Sequence, residues 1–198
     1  MTHVIVVRRI LSAAALVPAA ALVYGAFTDG LTANPIDYLT DTTGTTALAC
    51  LVLSLTVTPL RRLTGWNELI RLRRMLGLFA FFYACLHLLT WSVLDWFFDV
   101  ASMASDIVER PFITIGMVTF LLLLSLAVTS TAAMIRRMGK RWLQLHRLAY
   151  VAAVTAVVHV WWLVKADIRE PRLWAFALGI LFGFRLWWAL RTRLFLRS

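Results

Sequence analysis

Two histidines stand inside apolar runs of membrane-spanning length: His87 in FFYACLHLLTW and His159 in LHRLAYVAAVTAVVHVWW. An ionisable ring in such a segment is costly unless it is paired or coordinates something, so by default it marks function. His87 follows Arg74 by 13 residues and His159 follows Arg147 by 12. At 1.5 Å of rise per residue, each ring sits roughly 18 to 20 Å from its arginine. Two imidazoles at one depth suit the two axial positions of a haem iron, and two neutral rings leave no open coordination position, which favours electron transfer over oxygen chemistry. The plainer alternative is a hydrogen bond from each ring to a neighbouring helix.

His146 begins the same run as His159, beside Arg147. Thirteen residues at about 100° each put it some 140° around the helix from His159, so the two share no stripe. It could serve a second haem only if that helix is distorted or its partner helix wraps, and its position equally suits a quinone or a flavin near the inner surface. His3 lies in the N-terminal tail and is set aside. Arg73 and Arg74 could attract an anionic cofactor or phosphate, although arginines at the edge of a span more often anchor the helix. No Gly-rich phosphate loop, HExxH, GxSxG or cysteine-based metal cluster occurs. Cys50 and Cys85 fall inside apolar runs and form no CxxC or CxxCH, which excludes covalent c-type haem attachment.

The elements that must position these rings are membrane helices. The chain has 198 residues, 61% hydrophobic and 15% charged, with a mean hydropathy of +0.80; soluble domains run at about 45–50% apolar and 25% charged. The expected fold is all-α, a six-helix transmembrane bundle forming a single integral membrane domain over residues 1–198. A bilayer core needs about 20 apolar residues per helix. The six stretches run from about Ile10 to Phe27, Thr45 to Leu60, Met75 to Trp96, Phe112 to Ile135, Trp142 to Val164 and Leu173 to Leu190. Pro18 predicts a kink that neighbouring helices must accommodate. The first run shows no clear cleavage site and reads as a retained helix. DGLTANPIDYLTDTTG reads as a turn-rich aqueous loop, and a second loop carries Asp99, Asp106 and Glu109.

The net charge of +10 would suggest nucleic acid in a soluble protein, but the basic residues cluster between apolar spans, where topology explains them. The N-terminus, the loops after the second and fourth spans and the C-terminal end hold 16 of the 20 Lys and Arg. The opposite side holds Arg110, Lys165, Arg169 and Arg172 and nine of the ten acidic residues. This asymmetry predicts that both termini are cytoplasmic, with His87 and His159 in the outer half of the bilayer. Trp161, Trp162, Trp187 and Trp188 are expected at or near interfaces.

The runs LIRLRRMLGLFAFFYACLHLLTW, ERPFITIG and LAVTSTAAMIRRMGKRWLQLHRLAYVAAVTAVVH, with TGTTAL and TPLRR before them, resemble the MsrQ (YedZ) family. These are the haem-binding membrane subunits of the bacterial periplasmic methionine sulfoxide reductase system, within the ferric-reductase-like transmembrane superfamily. The most specific part is TSTAAMIRRMGKRWLQLHRL. The resemblance implies a bacterial inner-membrane protein that takes electrons from the quinone pool, or from a cytosolic flavin reductase. It passes them through haem b to the molybdopterin-containing catalytic partner MsrP, which reduces methionine sulfoxide; FMN is a further cofactor of the family. It also implies that His87, His146 and His159 are the haem histidines. The superfamily's two-haem members carry one more histidine near the start of the third helix, where this chain has about Arg73. The tail after Leu190 holds no flavin and nicotinamide domain, so a separate primary donor is expected. The competing readings are a stand-alone transmembrane ferric or quinone reductase and a haem-free transporter or scaffold. The acidic outer residues Asp37, Asp41, Asp106 and Glu109 are candidates for partner docking because of the side they face.

Overall fold

A computed structural model describes residues 2–28, 30–164 and 167–195, and among them no strand occurs. Asp29, Lys165 and Arg197, which entered the charge count, lie outside the described residues. The helices are α1 (Thr2–Phe27), α2 (Pro35–Thr64), α3 (Ile70–Leu89), α4 (Val100–Glu109), α5 (Pro111–Val128), α6 (Ala132–Met138), α7 (Lys140–Leu145), α8 (Leu148–Leu163) and α9 (Arg169–Phe195). Six stretches are long and apolar enough to cross a membrane: Val4–Phe27, Pro35–Thr64, Asn67–Asp95, Pro111–Val128, Lys140–Leu163 and Arg169–Thr192. The chain is a multi-pass membrane protein, as the apolar runs predict.

Several boundaries differ from the expected ones. From Pro35 onward the supposed aqueous loop is the start of α2, ten residues ahead of Thr45. Asn34 caps that helix by accepting from the Asp37 N–H, and Pro35 occupies the first turn, where its missing donor costs nothing. The threonines that read as loop-forming bond back onto the helix: the Thr43 hydroxyl donates to the Leu39 carbonyl at 2.7 Å and that of Thr46 to the Thr42 carbonyl at 2.7 Å. The fourth span ends at Val128 rather than Ile135, and the fifth is broken at His146–Arg147 between α7 and α8. After α3 the chain widens into a π-helical turn, Thr90–Asp95. Phe97 and Phe98, at φ of 46° and 61°, then redirect it into α4, a helix in what reads as loop. Helical backbone begins at Thr2, so His3 opens α1 rather than lying in an irregular tail.

The core runs through α2, with Leu48, Leu51 and Leu55 buried against Ala80, Leu123, Ala152, Ala153 and Val157. Ala80, Ala152 and Ala153 expose no surface, and small residues at crossings let helix backbones approach closely where lipid gives no hydrophobic drive to associate. Two prolines interrupt spans, and a side chain from another helix meets each. At Pro18 the wholly buried Tyr83 hydroxyl enters the rung of α1 that follows, donating to the Ala15 carbonyl at 2.5 Å and accepting from the Ala19 N–H at 3.1 Å. Pro59 lacks the N–H that would bond the Leu55 carbonyl, and the Arg185 guanidinium of α9 donates to that oxygen at 2.6 Å. Arg185 also lies 5.0 Å over the Tyr150 ring.

Candidate functional site

His87, in the last turn of α3, and His159, on α8, meet inside the bundle with ring centroids 6.1 Å apart and planes at 83°. Each ring is fixed by the helix that precedes its own span. The Nδ1 of His87 donates to the Thr40 carbonyl at 2.9 Å, and that of His159 to the Phe112 carbonyl at 2.7 Å. A carbonyl can only accept, so both Nδ1 atoms carry the proton and both Nε2 atoms keep a lone pair. The hydrogen bond to a neighbouring helix, the plainer alternative for these residues, is therefore present and is the kind that orients a metal-binding imidazole.

One helical turn beyond each accepting carbonyl stands a glycine. A Cβ at Gly44 would lie 3.0 Å from Cε1 and Nδ1 of His87, and one at Gly116 2.9 Å from the same atoms of His159. Both rings thus rest on bare backbone. The two halves repeat one pattern: carbonyl, glycine four residues on, and histidine 47 residues after the carbonyl. Thr40, Gly44 and His87 recur as Phe112, Gly116 and His159. The two glycines and two carbonyls are the site residues that reading by residue type misses; the equal offsets are the signal that finds them.

The N-terminal end of α5 is held by α4. Asp106, 5% exposed, accepts from Trp91 Nε1 at 3.3 Å and Trp96 Nε1 at 3.2 Å and pairs with Arg110 Nε at 2.8 Å. Arg110 immediately precedes α5, whose second residue supplies the carbonyl for His159. The burial of Asp106 removes it from the docking candidates, because its carboxylate is committed inward; Asp37, Asp41 and Glu109 remain exposed. Asp99, exposed in the same loop, is held below the usual carboxylate range by hydrogen bonds from Ser102.

His146 is not brought to either ring. Its Nε2 lies 3.2 Å from the Thr129 hydroxyl, its ring stacks on Trp142 at 4.0 Å, and Trp142 Nε1 donates to the Thr129 carbonyl at 2.9 Å. The helix break at His146 supplies the distortion that a second haem would need. Among the described residues no second histidine stands against this imidazole.

A haem fits the His87–His159 pair. Two metal–imidazole bonds of about 2.0–2.1 Å, each with roughly 1 Å from nitrogen to ring centroid, span about 6 Å, which is the separation observed. Among the described residues no group of three or more His, Cys, Asp or Glu could hold a bare ion, so two imidazoles suit a metal that brings its own equatorial ligands.

Residues 43–157 match the family model described as ferric reductase like transmembrane component; the match includes His87 and His146 and stops two residues before His159. Curated relatives extend over nearly all of the chain. It is 49% identical over 190 residues to the protein-methionine-sulfoxide reductase heme-binding subunit MsrQ of Herminiimonas arsenicoxydans, covering 94% of this chain and 87% of the relative. The proteins of the same name from Ralstonia nicotianae and Rhodospirillum rubrum are 51% and 53% identical over 180 and 173 residues. These alignments cover 89% and 86% of this chain and 83% of each relative.

Proposed function

Because this chain belongs to the ferric reductase like transmembrane family and, within it, to the MsrQ haem-binding subunits of protein-methionine-sulfoxide reductase, we propose that it is the electron conduit of such a system. In this reading it takes electrons from the quinone pool, or from a cytosolic flavin reductase. It delivers them across the inner membrane to a periplasmic molybdopterin subunit, MsrP, that reduces protein methionine sulfoxide. His87 and His159 would hold a haem b, which would supply reversible one-electron chemistry. The observation that carries the reading is the imidazole pair, 6.1 Å apart with both Nδ1 protons given to backbone carbonyls.

What the chain contributes is position and protection. Thr40 and Phe112 hold the tautomer that presents Nε2, Gly44 and Gly116 set how deeply each ring seats, and the Asp106–Arg110 pair secures the helix that orients His159. The matched ligand depth and the excess of Lys and Arg at the other end of the spans support a site in the outer half of the membrane, from which an electron would leave toward a periplasmic acceptor. His146, at the opposite end, is the residue for an inner haem, a quinone or FMN, held by Thr129 and Trp142.

The test is reoxidation. Purified protein reduced with a quinol analogue should show b-type absorption bands that disappear on adding the molybdoenzyme with a methionine sulfoxide substrate. Bands that persist would favour the stand-alone reductase, and no b-type bands at all would leave only the haem-free readings.

A further inference from the structure

Between α1 and α3, on the face away from the histidine pair, lies a cavity of about 840 Å³. Its two ends differ in chemistry. Where α1 begins and α3 begins, its rim is Arg8, Arg71 and Arg74; toward the middle of the spans its walls are Leu16, Leu78 and Phe82. Those three side chains are 48%, 38% and 41% exposed, so the groove opens sideways, where lipid lies. Its floor is firm: the Ser12 hydroxyl donates to the Met75 sulfur at 3.0 Å, and Val7 and Leu11 pack on the buried cluster around Leu72 and Leu76.

No carboxylate lines this cavity, and among the described residues none of its three guanidinium groups has an acidic partner. Arginines that only anchor a helix at the interface need neither a shared cavity nor an apolar channel running inward from it. Arg71 and Arg74 are three residues apart and so share a helix face, and Arg8 completes the cluster from across the groove. Guanidinium forks match phosphate oxygens. A basic pocket between transmembrane helices that continues into an apolar groove has the chemistry of an anionic lipid site.

We propose that the α1–α3 groove binds one anionic phospholipid, its phosphate between Arg8, Arg71 and Arg74 and an acyl chain along Leu16, Leu78 and Phe82. The site is independent of the haem reading, because His87 faces α2 and α8 instead. A zwitterionic headgroup brings its ammonium into a cluster of three cations and is selected against.

Delipidated protein titrated with phosphatidylglycerol or phosphatidylethanolamine and followed by native mass spectrometry tests this. The expected result is one retained phosphatidylglycerol per chain in preference to phosphatidylethanolamine. Each arginine near an anionic headgroup contributes roughly fivefold in affinity, so R71Q should weaken retention about fivefold and R71Q/R74Q by more than tenfold. L78W, which keeps all three charges and fills the apolar wall, should also lose the lipid. Thermal unfolding of each variant, followed by circular dichroism, reports intact folding separately from lipid binding. Equal retention of the two lipids, or wild-type retention in both R71Q/R74Q and L78W, would overturn the proposal. Saturable binding of inorganic phosphate or FMN that displaces phosphatidylglycerol would overturn it in favour of a soluble phosphate ligand.

Discussion

Gly44 and Gly116 set how closely each imidazole can lie against its supporting helix. An added methyl group would stand 3.0 Å or less from ring atoms, and each ring is pinned at Nδ1 with little room to yield. Disturbing an outer partner of a metal-binding histidine typically lowers metal affinity 10- to 100-fold. Gly44→Ala and Gly116→Ala should each lower haem affinity on that scale, measured by haem titration of the haem-free protein. Gly77→Ala, where a Cβ meets nothing within 4 Å, should leave it unchanged. The ring planes make a second prediction. Imidazoles that keep their 83° angle while holding a haem should give the oxidised protein a highly anisotropic low-spin electron paramagnetic resonance signal; the rhombic spectrum of parallel imidazoles would show that the rings do not hold this orientation. The histidine pair itself is legible in the sequence from residue type and matched depth. Thr40 and Phe112 are not, because their contribution is a backbone carbonyl that any residue could supply.

At the scale of elements, the bundle accommodates broken hydrogen-bond ladders by reaching between helices. Arg185 reads in sequence as one more basic residue at a helix end, yet it satisfies the carbonyl that Pro59 leaves without a donor. In a membrane interior an unsatisfied carbonyl has no water to turn to. Replacing Arg185 with Met should cost about 1–3 kcal/mol, seen as a fall in apparent melting temperature of about 2–4 °C per kcal/mol. Pro59→Ala restores a backbone N–H one turn on, so the same Arg185→Met change should cost less in that background. A double-mutant cycle with no coupling would separate the two residues. The boundary differences have a common physical origin. Apolar length finds a span, but Asn34–Pro35 and the self-bonding threonines extend α2 through polar sequence, and α4 is hidden because Asp106, paired with Arg110 one turn on, is buried by two indoles that sequence does not place beside it.

For the molecule as a whole, six spans bring two hairpins together, α2 with α3 and α5 with α8, each carrying the same carbonyl, glycine and histidine at the same spacing. That repetition is why the rings arrive at one depth, and it was open to inspection in the chain as equal offsets between glycine and histidine. At the other end the halves diverge: the second carries His146, stacked on Trp142, while the first carries arginines. Among the described residues, one end of the paired hairpins brings two imidazoles together and the other holds a single one. The central claim, that His87 and His159 together hold a haem, is tested most directly by haem-to-protein ratio and reduced-minus-oxidised spectra of His87→Ala, His159→Ala and His146→Ala side by side. The first two variants should each lose the same b-type component, while His146→Ala should have a smaller or separate effect. Equal haem retention in all three would contradict the assignment.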